Sequence, residues 1–569
     1  MKYQLRIKDN SLLIYRFFFF ILLLTSNLFL NVKAIASASP TESIRELPVQ
    51  EGGRIKPFDT LAREILSLIY GKSSYEGKPA YEVVMTWLLT PEEWESKNIV
   101  EINHSGVKEA LKLDKMKRYF TVKEIFQSDR LSLLMQDLNS KRESKEKLDA
   151  YFQALQRIEN QISTFREFAT GHMLSVVPPQ QDGQDSKWLS VPELEGESKT
   201  LFLEVTKAFI AGLGAEVNPQ NNSEAALNAK ADLEKSMIMF VDHAKNQNQN
   251  LYPKMGDIKL EVHYNSLHPF RWAWIFYFFA FVLMIVVLSL KKEKLIKAVW
   301  IFTILGFLFH SYGFGLRMYL TERPPVSNMF ETVVWVSWGA IIFSLIIERI
   351  YKLKITLLAG PIVATFCLML SDMAPSILDP TLRPLEPVLR SNFWLTIHVL
   401  TITISYSAFF LAFCLGDVGL YYHLRGEQHW KDRLNIITQG IYRSIQIGVV
   451  LLAAGIILGG VWADYSWGRF WGWDPKETWA LIALLGYLAI LHGRLVGLIK
   501  QFGMVVSSVI SFSLVIMAWY GVNYVLGAGL HSYGFGAGGV EYVSAFILIH
   551  IVYVVTVAII RNGRLKTKS

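Results

Sequence analysis

The chain divides at His268-Pro269, where a mixed, polar pattern gives way to repeated apolar runs. Nine such runs follow, at about 270–290, 298–318, 328–347, 353–371, 392–415, 441–461, 478–498, 503–527 and 540–560. Each is near the length an α-helix needs to cross a bilayer. Upstream, helical periodicity recurs in stretches such as 111–166, and interleaved charge over 141–149 marks a solvated helix face. Gln180 to Gly183 and Asn218 to Ser223 read as loops. At the start of the chain, Lys2, Arg6 and Lys8 precede an apolar run from Phe17 to Leu24. Small residues follow at Ala34-Ile-Ala36 and Ala36-Ser-Ala38, as in an export signal. The alternative is an uncleaved anchor, since Leu12 to Leu30 is nearly long enough to span. The pattern predicts an all-α polytopic membrane protein in three parts. Residues 1–38 are a signal peptide or anchor, 39–266 an exported, mainly helical soluble domain, and 267–569 a domain of about nine transmembrane helices.

Charge supplies the orientation. Basic clusters lie at Lys291, Lys292, Lys294 and Lys297; at Arg349, Lys352 and Lys354; at Arg425, Lys431 and Arg433; at Arg494 and Lys500; and from Arg561 to Lys568. They follow every second apolar run and so are predicted to be cytoplasmic. The loops at 317–327, 371–391 and 462–479 then lie outside, with the exported domain. Of the 569 residues, 51% are hydrophobic, which fits a membrane protein, and the net charge of +8 does not argue for a nucleic-acid partner. The two cysteines, Cys367 and Cys414, sit in apolar runs without metal or disulfide-framework spacing.

The densest chemistry is the segment from Trp462 to Trp479. Seven of its eighteen residues are aromatic: Trp462, Tyr465, Trp467, Phe470, Trp471, Trp473 and Trp479. An interfacial aromatic belt accounts for two or three of these. The excess, with Gly468 and Gly472 permitting close backbone approach, suits a large, flat, apolar ligand. Asp474-Pro-Lys-Glu477 predicts a capped helix start, with Asp474 as N-cap, Pro475 at the first position and Glu477 closing the box.

Among twelve histidines, two are placed at the same outer face as this segment. His398 lies just inside the fifth apolar run and His531 just beyond the eighth. Imidazole is a haem-iron ligand, and the two together with the aromatic shelf predict axial ligation of a porphyrin. His492, His310 and His550 fall within apolar runs, and ionisable groups there are functional candidates. His492 with His310 is the expected second, buried pair, with His550 as substitute or as an interhelical hydrogen-bond partner. His104, His172, His243 and His263 are expected at the surface, and His423 and His429 in a solvated loop.

These residues carry a resemblance. Trp467-Gly-Arg-Phe-Trp-Gly-Trp-Asp-Pro-Lys-Glu-Thr-Trp479 resembles the tryptophan-rich WWD signature of haem-handling cytochrome c assembly proteins. Arg323-Pro-Pro-Val-Ser-Asn-Met-Phe-Glu331, Trp394-Leu-Thr-Ile-His398, Leu491-His-Gly-Arg494 and Gly529-Leu-His-Ser-Tyr-Gly534 are similar to motifs of the CcsA (ResC) family of System II cytochrome c biogenesis. The resemblance spans about 300 to 560. It implies a component of a cytochrome c haem lyase in a bacterial inner membrane. Haem b is held at the extracytoplasmic face and joined to the Cys-X-X-Cys-His motif of an apocytochrome c. By the resemblance, His398 and His531 are the external iron ligands and His492 the buried one. The buried partner normally comes from a CcsB (ResB) membrane protein, which the segment before the matched region does not resemble, so His310 takes its place. Trp462, Trp467, Trp471, Trp473, Asp474 and Trp479 surround the macrocycle, and Arg469, Arg383 or Arg390 face its propionates, unless Arg469 pairs with Asp464 or Asp474. A CcsB-like chain, a thiol-reducing thioredoxin-like protein and membrane lipid are the further partners expected. Export of haem without attachment, and a bis-histidine electron-transfer role, are the alternatives. Leu47-Pro-Val-Gln-Glu-Gly-Gly-Arg-Ile-Lys-Pro-Phe58 resembles N-terminal extensions of some long CcsA-like chains, a resemblance to which no activity is attached.

Overall fold

The computed structural model describes residues 39–144, 148–181, 187–217, 223–374, 378–384, 391–526 and 539–566. The expected export signal, His531 and Arg390 lie outside the described residues.

The soluble part combines helices with a small antiparallel sheet. Strands β1 (Pro48–Glu51) and β2 (Arg54–Pro57) form a tight hairpin. Its two turn residues, Gly52 and Gly53, have φ of 61° and 81°, the pair of positive values that matches the twist of the flanking strands. Strands β3 (Ser175–Val177) and β4 (Leu189–Ser190) complete a sheet of order β2-β1-β3-β4. The helices Phe58–Tyr70 and Ala150–Ala169 pack Phe58, Ile65, Phe165 and Phe168 into one core with Trp87 and Trp188. Strands of two to four residues show no usable period, which is why the sequence pattern predicts helix alone here. The stretch 111–166 is likewise interrupted, with helices at Leu131–Glu143 and Ala150–Ala169.

Nine helices among the described residues are long and apolar enough to span. They are α1 (Met255–Leu290), α2 (Glu293–Thr321), α3 (Met329–Tyr351), α4 (Thr356–Met373), α5 (Thr396–Gly426), α6 (Lys431–Trp467), α7 (Pro475–Leu495), α8 (Gln501–Leu526) and α9 (Val540–Arg564). The all-α membrane architecture is therefore as the apolar runs predict. Helix α1 breaks at His268, where φ is 47°, and restarts with Pro269 at its first position. Helices α1–α4 form one group and α5–α9 another, joined where α3 and α4 pack on α5. At that seam a Cβ on Gly339 would come within 2.5 Å of the Ser407 hydroxyl, so only glycine lets the two helices approach this closely.

The basic loops gather on one face. Lys354 bonds Glu293 at 2.8 Å, Arg433 donates to the Leu288 carbonyl at 3.0 Å, and Arg561 bonds Glu427 at 2.8 Å. His423, expected in solvent, is instead buried in the last turn of α5, with Nδ1 3.0 Å from Glu427. The helix continues past the apolar run, and the charged loop begins only after it. At the other end of the bundle lie the soluble part and the loops at 322–328 and 378–384. Arg54 forks onto Glu261 at 2.6 and 2.8 Å, tying β2 to the start of α1.

A second tie at this junction is acid-sensitive. Asp59 is flanked by Arg63 at 2.9 Å and Arg45 at 3.1 Å and accepts a hydrogen bond from Asn265 at 3.0 Å. Burial disfavours its ionised form, but Arg63 and Arg45 outweigh burial and hold its carboxyl below the usual range. A lowered folded-state pKa stabilises the fold above the unfolded value of about 3.9, and the contribution is lost as pH falls through the folded value. Thermal unfolding of the full chain in detergent should therefore lose stability on acidification below about pH 5. Asp59→Asn should flatten that dependence, and an unchanged slope would show that Asp59 is not the sensor.

Candidate functional site

Two stretches of π-helix flank one cavity. Leu395–Val399 opens α5 and Met517–Leu526 closes α8. Such widened turns re-aim side chains and recur at functional sites. The first carries His398. Its Nδ1 lies 2.8 Å from the Gly455 carbonyl of α6. A carbonyl only accepts, so Nδ1 carries the proton and Nε2 bears the lone pair. A backbone-anchored imidazole with this tautomer is how proteins orient metal-ligating histidines. The helix against which it rests is bare. A Cβ on Gly459 would come within 2.5 Å of the His398 ring, so glycine is required there. One turn on, Trp462 meets the same ring edge to face at 5.7 Å.

The cavity has a volume of about 2180 Å³. His398 and Tyr406 of α5 and Trp462 of α6 form one side. Trp471 and the start of α7 at Lys476 form another, and Trp519, Asn523 and Tyr524 of α8 a third. It continues into the soluble part, and Arg54, Arg271, Arg323 and Asp372 are among the residues that line it. Aromatic walls, one oriented imidazole and a cationic approach suit a flat metal-bearing ligand with acidic substituents.

The aromatic segment is arranged differently from a continuous loop. Helix α6 runs to Trp467, so Trp462, Tyr465 and Trp467 are helical, and only 468–474 is loop. Gly468 ends the helix at φ 67°, as its C-cap. Asp474 caps α7 by accepting from the Lys476 amide, and Glu477 completes the box, as the sequence predicts. Arg469 does not pair with Asp464 or Asp474. Its guanidinium bonds Glu477 at 3.1 Å and lies over the Trp467 ring, across the open side of Gly472. Trp471 lines the cavity, whereas its edge-on neighbour Trp473 is 71% exposed with φ at 56°. Trp479 sits half-buried in the first turns of α7. Of the predicted shelf, Trp462 and Trp471 face the cavity, and the others build or flank the loop that holds Trp471. Arg383 is exposed and paired with Asp379 at 2.7 Å.

The deeper histidines stand apart. His310 is wholly buried in α2, with Nε2 3.1 Å from the Val334 carbonyl and Nδ1 3.4 Å from the Tyr277 hydroxyl. Helix α2 packs on α1, α3 and α4. His492 is exposed on α7, which packs on α6 and α8, with Nδ1 2.7 Å from the Leu488 carbonyl. The expected pairing of His310 with His492 is thus not formed, because they belong to different helix groups. His550 contacts Asp417 at 3.3 Å and joins neither. Sequence reasoning passed over Tyr406, Lys476, Trp519, Asn523 and Tyr524. The aromatic and polar residues closing the eighth apolar run, Trp519 to Tyr524, were the available signal.

Residues 326–531, which include His398, Trp462, Trp471 and Lys476 of this cavity, match the family model described as Cytochrome C assembly protein. Protein NrfI of Wolinella succinogenes is 29% identical over 512 residues, 86% of this chain and 54% of NrfI. The chain therefore spans about half the length of that relative, and the similarity reaches beyond the membrane helices into the soluble part. CcsA of Parasynechococcus marenigrum is 32% identical over 251 residues, 39% of this chain and 82% of that protein. CcsA of Prochlorococcus marinus is 33% identical over 280 residues, 44% of this chain and 87% of that protein. A chain that aligns along more than four-fifths of these two proteins, with nine helices among its described residues long and apolar enough to span and an imidazole-bearing cavity, belongs to the CcsA family of membrane proteins of cytochrome c biogenesis.

Proposed function

We propose that the cavity holds haem b as substrate at the extracytoplasmic membrane face and presents it for covalent attachment to the Cys-X-X-Cys-His motif of an apocytochrome c, which makes the chain a component of a haem lyase. The observation that carries this reading is His398, whose Nε2 lone pair is oriented by the Gly455 carbonyl beside Trp462. His531 is the second iron ligand in this reading. The soluble part, on the face opposite the basic loops, roofs the cavity and lies outside with it, since short basic loops stay cytoplasmic.

The attachment is an addition. The cysteine S–H bond and the vinyl π bond break, and sulfur bonds one vinyl carbon while hydrogen goes to the other. Nothing leaves, and there is no net oxidation. The chain's contribution is positional. His398 fixes the iron, the tryptophans hold the ring plane and exclude water, and the vinyl groups are kept beside the incoming thiols.

Co-expression with a Cys-X-X-Cys-His reporter, in a host lacking its own assembly system, tests the reading. The expected product is reporter carrying haem that survives denaturing electrophoresis. Free haem outside the membrane without covalent product would instead indicate export. If product forms only when a CcsB-like chain is added, that chain is a required partner.

A further inference from the structure

The arginines that line this cavity each already have a carboxylate, as does Arg469 of the loop beside it: Arg54 bonds Glu261, Arg63 bonds Asp59, and Arg118 and Arg157 both reach Glu101. Arg271 forks onto Asp372 at 2.9 Å, Arg323 lies 3.9 Å from Glu331, Arg383 bonds Asp379, and Arg469 bonds Glu477. Lys476 differs. It lines the cavity, and its ammonium donates to the neutral side-chain oxygen of Asn523 at 3.2 Å. It lies within ion-pair distance of no carboxylate among the described residues. Its position is also unfavourable for helix stability. Lys476 follows Pro475 in the first turn of α7, where the helix dipole favours anions and opposes cations. A cation placed there, turned into an aromatic cavity with an amide for its hydrogen bond and the Asp474 carboxylate beyond ion-pair distance, has charge left to satisfy. Trp471 and Trp519 line the same cavity.

We propose that Lys476 is the positioning residue for a haem propionate, setting the in-plane orientation of the macrocycle about the iron held by His398. The assignment rests on the haem reading of the cavity. One carboxylate held at Lys476 restricts the rotation of the ring about the iron, and that restriction bears on where the two vinyl groups point. A lysine suits this task as a point charge on a flexible stem, able to exchange the Asn523 oxygen for a carboxylate oxygen. The amide of Asn523 then keeps the ammonium directed into the cavity in the absence of ligand.

Absorption titration of the purified full chain with haem and with haem dimethyl ester tests the assignment, because the ester lacks both carboxylates. Wild type should prefer haem over the ester. Lys476→Gln should bind haem about tenfold more weakly and the ester unchanged. Lys476→Arg should keep the preference. Asn523→Asp, which supplies an internal anion, should also weaken haem and spare the ester. If Lys476→Gln weakens both ligands alike, or weakens neither, the assignment is overturned while the haem reading stands. If wild type titrates with neither ligand, the haem reading falls and the assignment with it.

Discussion

Purified His398→Ala should carry almost no haem, and its affinity in absorption titration should fall by more than about 100-fold. Removing an outer partner of a metal-bound histidine already costs 10–100-fold, so loss of the ligand itself costs more. Added imidazole should restore part of the spectrum by filling the space the side chain leaves. Gly459→Ala is the companion variant. Its new methyl would come within 2.5 Å of the His398 ring and push it off the Gly455 carbonyl. Haem should bind weakly there too, with a displaced absorption maximum, although the imidazole is retained. Unchanged haem content in His398→Ala would remove this histidine from the site and with it the reading of the cavity.

The second large effect is structural. Glu331, at the start of α3, is fully buried and bonds Arg317 of α2 at 2.9 Å. Its other oxygen accepts from the Ser327 amide at 2.9 Å and hydroxyl at 2.7 Å. Arg317 continues to the carbonyls of Pro380 at 2.8 Å and Thr381 at 3.1 Å. This hub fixes the loops at 322–328 and 378–384 over the mouth of the cavity. Glu331→Gln preserves the shape but strands a buried guanidinium, which costs about 3–5 kcal/mol. The expected result is a markedly lower unfolding midpoint in detergent, and poor recovery of folded protein. Replacing both partners, as Arg317→Met with Glu331→Leu, leaves no orphaned charge and should be milder than the single change. If the double variant is as unstable as Glu331→Gln, stability here comes from the loop hydrogen bonds and not from charge pairing.

The nine spans were legible because bilayer length imposes a run of about twenty apolar residues. The capped start of α7 was legible because Asp474, Pro475 and Glu477 act over a single turn. The extent of the aromatic loop was not. Polar Asp464 and Ser466 look like loop residues, yet α6 carries them as helix up to Gly468. Arg469 could not be assigned either, since Glu477 reaches it only after the loop folds back.

The sequence by itself determined what acts over short range: helix lengths, charge sidedness, caps, and His398 near a membrane face beside tryptophans. Tertiary structure decided everything that depends on which helices touch. It separated His310 from His492 by placing them in different helix groups, and it gave the His398 proton to Nδ1 through a carbonyl 57 residues away. It also brought Lys476 of one wall to Asn523 of the next while committing the nearby arginines to carboxylates. Apolar periodicity records that a helix is buried or lipid-facing, but not its neighbours. Pairing is set by close fits such as Gly339 against Ser407 and Gly459 against His398, which leave no periodic trace in the chain.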